Sequence, residues 1–335
     1  MSHPPSEISR QHGWLSDFQF SNGRVRVRKT DINLAVDEKL IAEIWAWIPY
    51  LAVLWLRAVW ATLARLVRGD RRMIWYAPDR PRPWYLVRGA ALWAGIGVAR
   101  HRADADIEFY FDDVTAGEAP LGGEALNVRC TDVSKSHVAE TFEAVFGYPL
   151  RVDPTTYHGP VVEKSEKNGV HDGRIMGSGD ALRSDCVYQR LIDTTDADGS
   201  ANDLRTLCVG GAPVLVWLKV KPAGARFAIH NRKASLREPA EIFSREESAL
   251  IGQFTARMGL DWGGLDILRD RADGRIYIVD VNKTDVGPVI ALSWRDKMRS
   301  MDRLGRALEG LVASRGRVRQ SRFADGPAEG PVHAS

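Results

Sequence analysis

Hydrophobic and polar positions divide the chain into three regimes. The first is an apolar block. No charge interrupts Ile44 to Leu56, and Trp45, Trp47, Trp55 and Trp60 crowd this block and its edge. The pattern predicts a helix over 37–68, with Pro49 bending it. These 13 uncharged residues fall short of the ~20 that span a bilayer. Extending the span takes in Arg57, at a cost of about 2.5–3.5 kcal/mol near a bilayer centre. Trp residues at the edge and Arg57, Arg65 and Arg68 on the flank suit a helix lying in a membrane interface. Burial against the chain itself or a second subunit is another reading, and a true span a third. Ahead of this block, residues 1–22 read as a loose leader. Gly23 to Lys29 alternates Arg with Val, giving a strand with one basic face, either a solvated edge or a surface for phosphate.

From Arg72 the pattern alternates between short strands and helices. Met73–Tyr76 reads as a strand, Trp84–Val98 as a helix, Ile107–Phe111 as a strand ending in Asp112 and Asp113, and Leu126–Arg129 as another strand. This is a small α/β unit. Asp132 to Phe146 is a helix capped by Asp132 or Ser134 and closed by Gly147. Gly159–Met176 gives strand, glycine-bearing loop, strand, and Asp185–Ile192 a further strand. Asp193–Asn202 is polar and reads as flexible. Asp203–Val220 is a strand pair turning at Gly210–Gly211, Arg245–Met258 a helix, and Asp302–Val312 a closing helix. The third regime, from Ala313, is rich in Arg, Gly, Ala and Pro and reads as disordered. Gly95–Ile96–Gly97 sits late in a helical stretch and reads as small-residue packing, not as a dinucleotide fingerprint.

Composition adds bounds. A length of 335 fits about two domains at roughly 150 residues each. A net charge of +3 compels no nucleic-acid partner. Three cysteines, Cys130, Cys186 and Cys208, with no CxxC, point to neither a disulfide framework nor a zinc site and fit a reducing cytoplasm. The first residues hold no apolar signal segment.

Chemistry concentrates near the end. Leu265–Leu268 and Ile276–Val279 read as a hairpin around Asp273–Gly274. Residues two apart on a strand share a face, so Asp280 and Asn282 point the same way, with Asp266 placed beside them by pairing. Two carboxylates and an amide oxygen are hard donors that suit Mg²⁺, with Mn²⁺ as an alternative. Other features point to phosphate. Lys164 ends a strand before a glycine turn, Lys135 starts a helix, and Arg205 lies on a strand where it serves either as an ion-pair partner or as a phosphoryl clamp.

Taken in order, these parts resemble the ATP-grasp superfamily of ligases over about residues 126–310. The carriers are Lys135, PVVEKSEKNG, VYQRLID, DLRTLCVGG, RFAIHN, FSREE, MGLDWGGLDIL and YIVDVN. The resemblance implies an α+β/α/β fold, with a small N-terminal α/β domain before a two-lobed ATP-binding module. The expected divisions are 1–36 for the leader with its basic strand and 37–70 for the Trp/Arg-rich helix. Then come 71–131 for the small α/β domain, 132–312 for the module and 313–335 for the tail. It further implies that Asp266, Asp280 and Asn282 hold Mg²⁺ under ATP and that Lys135 and Lys164 contact its α- and β-phosphates. Tyr188, Gln189 and Leu191 would hold adenine through backbone hydrogen bonds, Arg205 would sit by the transferred phosphoryl group, and Lys167–Gly173 would form a lid. Departures are Asp280 in place of the usual Glu, the charged Lys283–Thr284–Asp285 in place of a small loop, and Glu163 and Glu166 near the lid. Arg226 and Asn231 match further family positions only loosely.

The implied activity is ADP-forming ligation of a small-molecule or peptide carboxylate to an amine or other nucleophile. The alternatives are a phosphotransferase on the same scaffold, or a non-catalytic nucleotide-binding protein attached to membrane through residues 45–68. The expected location is cytoplasmic, with residues 44–68 as a contact to the inner membrane face or to a second copy. His158, His171, Asp112 and Asp113 stand as weaker candidates for substrate contacts.

Overall fold

A computed structural model describes residues 18–27, 32–169, 172–177, 179–222, 224 and 232–324. Phe18–Ser21 (β1), Arg24–Val27 (β2) and Ile32–Ala35 (β3) form an antiparallel three-stranded sheet. The β1–β2 turn is Asn22–Gly23, both with positive φ, the geometry that makes Asn-Gly a hairpin signal. The expected loose leader is thus a strand from Phe18. Val25 is buried while Arg24 and Arg26 are exposed, so the basic face is real.

Helix α1 runs unbroken from Glu38 to Arg68 through Pro49. Proline there removes only the bond to the carbonyl four residues back. The small unit is a parallel sheet of β4 (Met73–Pro78), β5 (Gly97–Val98) and β6 (Ile107–Phe111), with β4 in the middle. Its helix α2 (Leu86–Trp93) is shorter than the expected 84–98. Gly95 takes φ +70°, and a Cβ there would meet the Ala61 backbone at 2.7 Å, so the chain turns against α1 and leaves as β5. Leu126–Arg129 is not a strand. Only Leu126 bridges to Phe109, and Asn127, with φ +58°, turns away to bond Asp261 and Trp262.

Helix α3 (Lys135–Phe146) is capped by Ser134 and ended by Gly147 in the left-handed region. Strands β7 (Val161–Ser165), β8 (Arg174–Ile175) and β9 (Cys186–Arg190) make a small antiparallel sheet with β7 central. The second, larger sheet contains β10 (Ser200–Val209), β11 (Ala212–Pro222), β12 (Lys233–Arg237), β13 (Trp262–Arg269) and β14 (Ile276–Asn282), in the order β12-β11-β10-β13-β14. The polar stretch before β10 is tied down by Asp193 and Asp198, which accept from Thr195 and Ser200. Helix α4 (Pro239–Ile242) and helix α5 (Arg245–Met258) separate β12 from β13, and α5 matches its expected bounds. Helix α6 runs from Trp294 to Ala324, starting before and ending beyond the expected 302–312; residues 325–335 lie outside the described part. The α+β class agrees with expectation, and the described residues form four sheets.

The larger sheet organises the molecule. One face carries Leu265, Ile267, Val281 and Cys208 against Phe142 of α3 and Phe254 of α5. The other face is divided. At one end Leu207, Leu215, Trp217 and Trp262 pack with α2, α6 and part of α1. Those three helices meet at Gly89, where a Cβ would come within 3.0 Å of both Met301 and Tyr50. At its other end this face turns from apolar to charged, under the smaller sheet.

Candidate active site

The charged end of the face follows from strand periodicity. Asp203 and Arg205 alternate along β10, and Lys219 and Lys221 along β11. The pairing sets Asp203 opposite Lys219, Arg205 opposite Asp266, Asp266 opposite Asp280, and Gly264 opposite Asn282. Asp266 and Asp280 therefore lie side by side, with Asn282 two residues on. These three residues, far apart or adjacent in sequence, share one patch.

Every carboxylate of the patch is engaged by a cation. Asp266 accepts from Arg205 Nη1 at 2.6 Å and Lys219 Nζ at 3.1 Å. Asp280 accepts from Lys135 Nζ at 2.5 Å. Lys219 also pairs with Asp203 at 2.7 Å, and Arg205 Nη2 pairs with Asp285. A Cβ on Gly264 would meet Arg205 Nε at 2.9 Å and also Asp285, so glycine there leaves room for the pair. Burial pushes the Asp266 carboxyl up, but the charges of Arg205 and Lys219 outweigh it and hold the group well below the usual range. Burial lowers Arg205, yet Asp266 and Asp285 raise it overall. Burial lifts Asp285 to about 6, against the pull of Arg205. Burial, followed by the like charge of Lys135, pushes Lys164 down to about 8. Lys164 thus belongs to the same electrostatic cluster as Lys135, Asp280 and Asp266.

The donors fit a hard divalent cation. Two carboxylates and one amide oxygen stand on adjacent strand positions, a set that leaves positions for phosphate and water. Among the described residues no group of three or more His, Cys, Asp or Glu is arranged to hold a metal, so carboxylates alone do not form a closed site.

The loop after β7 lies over the patch. Asn168 accepts from Lys135 Nζ at 3.2 Å, donates to the Val281 carbonyl at 3.1 Å, and is held by Thr115 at 2.9 Å. Glu166 accepts from the Ser136 N–H at 3.0 Å and from its hydroxyl. The start of α3, where phosphate is expected, therefore holds a carboxylate of the chain itself. Glu163 does not oppose phosphate. It is buried on the other face of β7, paired with Arg174 at 2.8 Å and near the Tyr188 hydroxyl at 3.3 Å. Lys167 is exposed on the loop, and among the described residues its side chain joins no carboxylate of the patch. His171 lies outside the described residues, as do Arg226 and Asn231, and His158 is exposed.

The Tyr188 carbonyl accepts from Val152 N–H at 3.0 Å, and Leu191 N–H donates to Pro160 at 2.9 Å, so these two backbone groups are already used within the fold. Gln189 is buried, and its amide Nε2 has no hydrogen-bond partner. That is an unmet donor at the expected adenine position.

Sequence reasoning missed Lys219 and Lys221, and gave Asp285 and Asn168 only as members of the charged 283–285 loop and of the lid. Lys219 and Lys221 carried a signal, since a period of two in β11 beside Asp203-x-Arg205 in β10 puts all four on one face. Asp285 and Asn168 carried none, because only the return of two loops brings them in. Lys283 is buried over the Tyr110 ring at 5.0 Å, and Thr284 donates to Asp113 at 2.5 Å, so the charged loop ties the hairpin to the small unit. Asp113 also accepts from the Tyr85 hydroxyl. Asp113 is thereby spent on the fold.

No protein-family model matches the chain, and no curated protein matches it. ATP-grasp ligases are among the solved structures it is similar to. One is ATP-grasp ligase PsnB complexed with minimal precursor, at 18% identity over 56% of this chain and TM-score 0.39; the chain covers 64% of that structure's length. Another is D-alanine–D-alanine ligase from Bacillus anthracis complexed with ATP, at 12% identity, 75% of this chain, 99% of that one and TM-score 0.45. A third is a RimK-domain ATP-grasp protein from Sphaerobacter thermophilus, at 15% identity, 72% of this chain, 99% of that one and TM-score 0.43.

Proposed function

We propose that the chain is an ATP- and Mg²⁺-dependent ligase of the ATP-grasp kind, forming an acyl phosphate from a carboxylate and joining it to an amine or other nucleophile. The observation that carries this reading is the direct pairing of Asp266 with Asp280, each already neutralised by Arg205, Lys219 or Lys135. Such a patch is built for exchange. Phosphate oxygens take over the cations, and the carboxylates with Asn282 are freed to hold Mg²⁺. When bound, the ion screens the phosphate charge so that a carboxylate can approach. Lys135 and Lys164 bind phosphate oxygens, and Arg205 steadies the group in transfer.

The substrate carboxylate oxygen attacks the γ-phosphorus, and its bond to ADP breaks. The nucleophile then attacks the acyl carbon, phosphate leaves, and the amine loses its proton. The chain supplies position and charge rather than covalent chemistry. The residue set that binds adenine is Gln189 with its neighbours, through the unmet amide donor.

The test is a product screen by mass spectrometry with ATP, Mg²⁺ and mixed carboxylates and amines. A joined product plus ADP supports ligation. A product heavier only by phosphate replaces it with phosphotransfer, and no nucleotide-dependent product from folded protein removes the enzyme reading.

A further inference from the structure

The outer face of α1 is apolar along its length and covered by nothing among the described residues. Trp45, Trp55 and Trp60 are 67%, 66% and 72% exposed, and Ile44, Ile48 and Leu63 are exposed beside them. From Ile41 to Val67 this surface runs about 39 Å at 1.5 Å per residue. A continuous apolar patch of that size marks an interaction surface.

The opposite stripe fixes how the helix can be used. Tyr50, Leu54 and Ala58 are buried. Arg65 is buried too, bonded to the Ala94 carbonyl at 2.6 Å and paired with Glu309 at 2.6 Å and Asp70 at 3.1 Å. By length and composition 47–68 could cross a bilayer, with only 28% of that stretch buried in the molecule. Crossing, however, would strip Tyr50 and Leu54 from α2 and α6, break the Arg65 pairs with Glu309 and Asp70, and set Arg57 near the hydrocarbon centre. The helix can lie along a membrane but not through it.

Charge selects the occupant. No acidic residue stands between Ile44 and Gly69. Arg57, which also lies over the Trp93 ring at 5.7 Å, and Arg68 and Arg71 are exposed, and exposed Arg24 and Arg26 stand on the hairpin that feeds α1. Three exposed indoles together with these arginines match lipid headgroups of negative charge. We propose that α1 docks this protein flat on an anionic bilayer surface, with its Trp face in the headgroup boundary.

The test uses the full chain and vesicles of phosphatidylcholine alone or mixed with phosphatidylglycerol, read by co-sedimentation. Light scattering in lipid-free buffer gives the oligomeric state. The expected result is binding to anionic vesicles that weakens with salt. A Trp45→Ser/Trp55→Ser/Trp60→Ser variant should lose at least about tenfold in vesicle affinity, with an unchanged unfolding midpoint because all three side chains are exposed. Arg68→Glu/Arg71→Glu should lose the preference for anionic over neutral vesicles. Absence of vesicle binding by the folded wild-type chain would overturn the proposal, as would equal binding to neutral vesicles. A stable lipid-free dimer that the Trp variant dissolves would assign the face to a second copy instead. Nucleotide binding, measured separately on the same variants, should not change, so the fate of the ligase reading does not decide this one.

Discussion

The charged end of the large sheet and the outer face of α1 are opposite answers to one problem. The sheet end gathers four carboxylates and five cations, and its carboxylates are engaged by cations from three separate elements, α3, β10 and β11. The α1 face gathers indoles and branched aliphatics and is covered by nothing among the described residues. A buried charge is costly when unpaired, and close pairing offsets part of the lost hydration. An exposed apolar face has no such internal remedy, since only an outside partner removes it from water. The first region therefore waits by exchanging partners, and the second by lacking one.

The sharpest way to break this contrast is to remove a carboxylate from the patch. Asp280→Ala should lower Mg²⁺-dependent ATP turnover by about 10²–10³-fold or more, with the fold retained because the residue is half-buried at a strand end. Steady-state kinetics beside a thermal melt would measure it, and unchanged turnover would refute the metal assignment. Next in size is Gly264→Ala. Its methyl would push into the Arg205–Asp285 pair and should cost about 1–3 kcal/mol of stability, read by denaturant unfolding. Ala at Gly147, where a Cβ would meet nothing within 4 Å, tests strain alone: it should cost about 1 kcal/mol, from the left-handed backbone.

A subtler test concerns the loop that stands in for ligand. Glu166→Ala frees the start of α3 and should tighten nucleotide binding by about three- to tenfold in calorimetry, worth about 0.7–1.4 kcal/mol. Weaker binding would mean that Glu166 builds the site instead of blocking it. The smallest effect is on pH. Lys164 loses its proton in the fold near pH 8, so nucleotide affinity should decline as pH rises through 8, while Lys164→Arg stays flat. The linked stability has the opposite sign. The unfolded chain keeps the proton up to about 10.4, so this group makes the fold more stable as pH rises from about 8 to 10.4.

What was legible in the residues follows local rules. Helix α3 with its serine cap, helix α5, the Asp-Gly hairpin and the shared face of Asp280 and Asn282 all depend on neighbours within a few positions. The same rules, applied to Asn22–Gly23, would have found the first hairpin. Errors arose where distant chain decided. Helix α2 stops early because Gly95 meets Ala61, and Leu126–Arg129 turns away because Asn127 bonds Asp261 and Trp262. The hinge residues Tyr188 and Leu191 spend their backbone groups on Val152 and Pro160, partners that strand periodicity does not reveal.

The amino-acid sequence by itself determined which residues alternate on a strand, where α3 and α5 lie, and that one long segment was too apolar and too rich in tryptophan to be ordinary. Only the tertiary structure decided that Asp266, Asp280, Lys135, Arg205, Lys219 and Asp285 form one charge-balanced cluster, that Glu166 sits where an anion belongs, and which face of α1 is buried. The reason is range. Periodicity and capping act through a few bonds of chain, whereas ion pairs and burial depend on distances in space that sheet pairing and returning loops alone set.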